Sequence, residues 1–254
     1  MGICQVDYDY LANRYDQCRA LSQKDETLWR CLFEQHLGLD RTSRVLDVGC
    51  GTGRFSILIA KHFQCSVVGI DPSSSMLTQG RTKCSNGEFV CLRARGEALP
   101  FSEGVFDVCL ASQVIHHFQD KYQAFAEMYR VLHYGGRVGI RTSSHAHLRR
   151  ILDYRFFPSA LRIDCERLPD VPEVRDMLLA VGFSTVGQKL VRQQLFESVD
   201  DYLAKLHDKY SSVLSLISEE EYQSGLEEAT TYLRNGEFKT TDRYAEITFV
   251  VGIK

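Results

Sequence analysis

Two rhythms of apolar residues alternate along this chain. Short apolar runs, too short for helices, occur at RVLDVG (44–49), SVVGID (66–71), EFVCLRA (88–94), FDVCLASQ (106–113) and RVGIRTS (137–143), and they read as strands. Between them lie FSILIAKHF (55–63), PSSSMLTQGRTKC (72–84) and YQAFAEMYRVLH (122–133), whose apolar positions recur at helical spacing. Pro72 is expected in the first turn of its helix, and Gly135-Gly136 is expected to stop the third. Upstream, residues 7–37 read as mostly helical, with Leu28, Cys31, Leu32, Phe33 and Leu37 marking an apolar face. Strands alternating with helices predict parallel βαβ units and an open, doubly wound α/β sheet.

The rhythm resumes after a break. VPEVRDMLLAVGF (171–183) predicts a helix ending at Gly182, STVGQKLVRQ (184–193) a strand, and YAEITFVVGI (244–253) a strong final strand. SVDDYLAKLHDKY (198–210) and SEEEYQSGLEEATTYLRN (218–235) are polar and mainly helical. No internal repeat or low-complexity linker divides the chain, so one sheet with helical insertions is expected.

Composition narrows little. With 44% hydrophobic residues, 25% charged residues and a net charge of −3, the chain has no global preference for nucleic acid or membrane. Nine cysteines without a C-x-x-C pair, and an N-terminal stretch without a secretory pattern, point to reduced thiols in a cytoplasmic protein. No apolar run is long enough to span a bilayer.

The candidate chemistry starts at Gly49, Gly51 and Gly53, a glycine-rich turn between a strand and a helix that lets ligand atoms approach the backbone. Arg54 stands where a dinucleotide fingerprint needs its third glycine, and no Gly-Lys-Ser/Thr follows as in a phosphate loop. Asp47 ends the preceding strand. Asp71 ends the next one, where a carboxylate can accept hydrogen bonds from both ribose hydroxyls or cap the helix opened by Pro72.

In order, VLDVGCGTG (45–53), VGID (68–71), GEALPFSEGVFDVCLAS (96–112), IHHF (115–118) and VLHYGGRVGI (131–140) resemble the motifs of class I S-adenosylmethionine-dependent methyltransferases, in particular the ubiquinone/menaquinone-type branch. The resemblance implies a seven-stranded Rossmann-like sheet, mostly parallel with an antiparallel last strand, and S-adenosylmethionine as cofactor. It implies that Gly49, Cys50, Gly51 and Gly53, with Asp47 before them, lie against the methionine part and the ribose. Asp71, beside Pro72, would hold the ribose diol. Gly96 and Glu97 would lie near adenine, and Ser112 beside the cofactor. The usual adenine-contacting Asp is replaced by Arg95, which cannot accept a hydrogen bond. YDYLANRYD (8–16) resembles the helix that closes over the cofactor.

Methyl transfer mainly requires alignment and exclusion of water, so the acceptor side is harder to read. His117, preferred over His116 on family position, and Tyr15 are the candidate catalytic residues; His116, Tyr8, Arg149 and Tyr154 are candidate substrate contacts. The segment 137–167 carries seven arginines and the aromatics Tyr154, Phe156 and Phe157, which suits an anionic or aromatic small molecule. Residues 200–237, with nine acids against three bases, oppose a nucleic-acid face. His145 and His147, with His116 and His117, have no carboxylate or cysteine partner at motif spacing, so no metal is expected. The expected layout is one domain over 1–254. It comprises a helical cap (1–40), a cofactor core (44–142), substrate-lid insertions (143–170 and 193–240) and a final strand (243–254). A small-molecule methyltransferase is expected ahead of an RNA or protein methyltransferase or a non-catalytic cofactor-binding protein. No oligomeric state is read.

Overall fold

The computed structural model describes residues 21–83 and 89–254. Helix α1 (Gln23–Leu37) leads into β1 (Arg44–Val48), α2 (Arg54–Phe63), β2 (Ser66–Asp71), α3 (Ser74–Thr82) and β3 (Phe89–Arg93). Then come β4 (Phe106–Ser112), a 3-10 turn (Ile115–His117), α4 (Lys121–Val131) and β5 (Leu132–Thr142). The strands stand in the order β3-β2-β1-β4-β5-β7-β6, with β6 at Thr185–Gln194 and β7 at Tyr244–Ile253. Strands β1 to β5 pair in parallel, while β7 runs antiparallel between β5 and β6.

Both faces of this sheet are covered, as parallel strands require. Val45, Val108 and Leu110 point to a core shared with Trp29, Phe33, Phe55 and Phe249. Their neighbours Leu46, Val48, Cys109 and Ala111 point the other way, onto Phe125 and Met128 of α4 and onto α8 (Val171–Val181). The alternation of buried side chains along each strand therefore builds two cores, one above the other.

Between β5 and α8 lie α5 (His145–Leu148), α6 (Asp153–Phe156) and α7 (Pro158–Arg167); between β6 and β7 lie α9 (Val199–His207) and α10 (Glu219–Arg234). These two insertions share a third core, in which Phe156, Phe157 and Ala160 pack with Phe196, Tyr202, Leu206, Leu214 and Leu226. They form one helical layer contributed by two distant stretches of chain.

Three local expectations change. Helix α4 stops at Val131, because Leu132 is fully buried and pairs with Phe106, so β5 absorbs the Gly135-Gly136 segment as a sheet irregularity. Helix α3 starts at Ser74 with Ser73 as its cap, leaving Pro72 outside the first turn. In α1 the buried face is Trp29, Leu32, Phe33 and Leu37, while Cys31 is exposed. Among the described residues no helix is long and apolar enough to cross a membrane.

Candidate functional site

Two cavities open at the carboxyl edge of the parallel strands, the edge where open α/β sheets bind ligands. The smaller, about 430 Å³, lies beside the β1–α2 glycine turn. Three successive turn glycines have positive φ, but they serve different ends. A Cβ on Gly49 would collide with Val114 at 2.2 Å, whereas one on Gly51, at φ +56°, would meet nothing within 4 Å. Among the described residues Gly51 therefore leaves open room on the cavity wall.

Asp71 faces the same space. Its Oδ2 accepts the Gly51 N–H at 3.0 Å and its Oδ1 the Ser73 N–H at 2.9 Å, so each oxygen keeps a lone pair for a ligand hydroxyl. Burial pushes its carboxyl pKa up, and the two backbone hydrogen bonds oppose that shift. Because Ser73 takes the capping role, Asp71 does not cap α3. Ser112 also lines this cavity, and its buried Oγ makes no hydrogen bond. Pro72, Gly96 and Glu97 complete the predicted part of the wall; Glu97 is anchored by the Gln119 N–H at 2.7 Å. Arg95 is exposed at the rim.

Asp47, Cys50 and Gly53, expected beside the cofactor, do not line this cavity and stand behind the turn. Asp47 is 2% exposed behind the turn, where the Ser56 hydroxyl donates to its Oδ2 at 2.5 Å and its Oδ1 has no hydrogen bond. Burial, reinforced by Asp71, raises its pKa to about 6 against the opposing Ser56 hydrogen bond and Arg54. Cys50 is buried with its sulfur packed against Gly69. Gly53 packs against Phe89. All three shape the turn from behind.

The larger cavity, about 650 Å³, lies between the sheet edge and the helical layer. Its wall carries Arg54, Arg141 and Lys205 as well as Asp153, Asp164 and Glu197. Arg141, 4% exposed at the end of β5, lies over the Trp29 ring at 4.8 Å and donates to Gln193 at 2.6 Å. Two buried carboxylates organise the opposite side. Asp153 accepts from the hydroxyls of Tyr202 and Tyr210, and burial pushes its pKa up. Asp164 accepts from Tyr154 at 2.5 Å and pairs with Arg167 at 2.7 Å. Burial, then the Asp164 charge, hold Tyr154 well above the ordinary tyrosine range, so it stays a neutral phenol.

Gln113, His116 and Arg167 line both cavities. His117 lines only the smaller one, so His116, not His117, stands where the spaces join. The two residues share the 3-10 turn Ile115–His117, and their rings pack together with centroids 3.9 Å apart. Tyr154 faces the larger cavity as expected of a substrate contact, but Arg149 is exposed and lines neither. Phe156 and Phe157 are core residues of the helical layer, not a cavity wall. Tyr8 and Tyr15 lie outside the described residues. His145 bonds the Leu168 carbonyl and His147 faces Glu246; among the described residues no three metal-ligating side chains gather. Sequence reasoning missed Gln113, Arg141, Asp153 and Arg167, whose isolated positions form no motif.

A methyltransferase-domain family matches residues 46–140. The chain is 36% identical over 155 residues to a ubiquinone/menaquinone biosynthesis C-methyltransferase of Citrifermentans bemidjiense, covering 58% of this chain and just under two thirds (66%) of that protein. It is 30% identical over 213 residues to the corresponding enzyme of Edwardsiella ictaluri, covering 71% of this chain and 82% of that protein. Among solved structures, a putative methyltransferase from an antibiotic biosynthesis pathway of Anabaena variabilis superposes with a TM-score of 0.77 at 20% identity, covering 89% of this chain and 96% of that one.

Proposed function

Starting from the premise that the chain belongs to the class I S-adenosylmethionine-dependent methyltransferases, in the ubiquinone/menaquinone-type branch, we propose that it transfers the methyl group to a small-molecule acceptor held in the larger cavity. The observation that carries this reading is the wall common to both cavities, where Gln113, His116 and Arg167 stand between the space beside the glycine turn and a second one. The residues present fit the cofactor: Gly51 leaves an open cradle, Asp71 offers two acceptor oxygens, and the buried Ser112 Oγ has no hydrogen bond among the described residues.

When bound, S-adenosylmethionine supplies a methyl group on a sulfonium with a neutral thioether as leaving group. Gly49 and Gly51 would accept its methionine part, Asp71 its ribose diol, and the backbone from Arg95 to Glu97 its adenine. Residues 143–170 and 193–240 act as the acceptor wall and cover, excluding water and fixing the line of attack. Arg54 and Arg141 support an acceptor with an anionic or aromatic part, because a guanidinium favours both a carboxylate and a ring face. His116 is positioned to take a proton from an acceptor that arrives protonated.

The test is methyl-labelled S-adenosylmethionine incubated with the protein and a size-fractionated cell extract. Label is expected in the small-molecule fraction. Label confined to RNA or protein would overturn the acceptor class, and donor binding without any transfer would point to a non-catalytic cofactor-binding protein.

A further inference from the structure

Gln113 carries a conformational feature that neither its neighbours nor the fold requires of its side chain. Three non-glycine residues among those described have positive φ, namely Gln64, Gln113 and Lys209. Gln64 ends α2 and Lys209 follows the end of α9, where a left-handed residue commonly closes a helix. Gln113 ends no helix. It leaves β4 at φ +53°, and its N–H donates to the Arg141 carbonyl at 2.8 Å, which pins the bend to the neighbouring strand.

The bend has a packing purpose, since it brings Val114 against the turn at Gly49. That purpose concerns the backbone alone. Glycine or asparagine would adopt the left-handed conformation with less strain than a residue with an ordinary Cβ. The choice of glutamine therefore calls for a role for its side chain. That side chain stands on the wall shared by the two cavities, together with His116 and Arg167. A carboxamide is donor and acceptor at once and carries no charge to desolvate. Arg167 is already ion-paired with Asp164.

We propose that Gln113 is the acceptor-orienting residue of the transfer: its carboxamide hydrogen bonds a polar substituent beside the attacking atom and holds that atom in line with the donor methyl. This rests on the methyl-transfer reading above. The left-handed bend is the strain that brings the carboxamide to the point where the cavities meet. Orientation acts on the reacting pair and not on the donor alone, so its loss falls on turnover, where small misplacements cost on the order of a hundredfold.

The experiment compares the full-length protein with Gln113→Gly and Gln113→Asn. Thermal unfolding, S-adenosylhomocysteine affinity by calorimetry, and initial rates of label transfer into graded amounts of the small-molecule fraction are measured for each. Gln113→Gly is expected to melt no lower than wild type, to bind S-adenosylhomocysteine within about twofold, and to lose about tenfold or more in maximal rate. Gln113→Asn, which keeps a shorter carboxamide and tolerates the bend, is expected to recover part of that rate. A glycine variant that transfers at the wild-type rate overturns the proposal while leaving the methyltransferase reading intact. So does one whose rate falls only in step with its melting temperature or its S-adenosylhomocysteine affinity. Wild-type protein that binds S-adenosylhomocysteine but moves no label overturns the methyl-transfer reading and this inference with it.

Discussion

The smaller cavity is built on turns and closed by side chains such as Met76, Phe118 and Arg167, whereas the larger one is walled by side chains throughout. Around Gly51, Asp71 and Gly96 the wall is backbone, or a side chain attached to a turn immediately after a parallel strand. Around Asp153, Arg141 and Tyr154 it is made of charged and aromatic groups brought in from β5, α6, α7, β6 and the loop after α9. The difference teaches how each space came to be. A pocket of turns is a by-product of the sheet and binds what the sheet edge presents. A pocket of side chains exists only because a separate core, with Phe157 and Leu206 at its centre, holds two insertions together.

The largest test of that separation is Leu206→Ala. This fully buried side chain belongs to the third core, so its loss should destabilise the helical layer by about 2–5 kcal/mol in denaturant unfolding while leaving S-adenosylhomocysteine affinity within about twofold. An equal collapse of affinity would show the two regions to be one cooperative site.

Asp47 sharpens the comparison from the other side. Unfolded, this carboxyl titrates near 3.8; folded, it keeps its proton to about pH 6. Between those values unfolding releases a proton, so rising pH favours the unfolded chain, and the full penalty, on the order of 2–3 kcal/mol, is present above about pH 6. The unliganded protein should therefore lose thermal stability between about pH 4 and pH 6, and Asp47→Asn should flatten that slope. Parallel profiles for the two proteins would mean that burial does not govern this group.

Asp71→Ala should weaken S-adenosylmethionine binding by about 1–3 kcal/mol in calorimetry without lowering the stability of the helical layer. An unchanged affinity would remove Asp71 from the donor site. The smallest effect belongs to Arg155, exposed with its guanidinium 4.1 Å from the Tyr232 ring centre. Arg155→Ala should cost under about 1 kcal/mol of stability and leave label transfer unchanged. A large fall in transfer would restore the arginine-rich segment as an acceptor contact.

The same contrast explains what could be read before folding. Gly51, Asp71, Gly96 and Ser112 sit at fixed distances from recognisable strands, so their pattern carried the sheet and brought them to one cavity wall. Gln113 was counted into the end of its strand, and nothing in a glutamine announces a left-handed bend. His116 and His117 are neighbours in sequence with rings in contact, and only the cavity walls distinguish them: His116 lines both spaces and His117 the smaller one. At Leu132 the helical spacing ran on past the true end of α4, because pairing with Phe106 outweighs local propensity. Arg149 and Arg155 looked like Tyr154 in a basic, aromatic segment, yet only Tyr154 has a buried carboxylate to draw it inward.

Strand β7 has a consequence for the order of assembly. It follows every other strand in the chain, yet it lies between β5 and β6 and pairs with both. During synthesis from the amino end, β1 to β5 can pair as they emerge, and the turns around Gly51 and Asp71 need nothing later. Among the described residues strand β6 has no strand to pair with until residues 244–253 arrive, and Ala245 and Ile247 of that last strand are themselves part of the larger cavity wall. A ribosome-bound chain stalled before β7 would thus carry the glycine-turn wall of the smaller cavity facing an unfinished larger cavity, with an unpaired strand as its exposed flank.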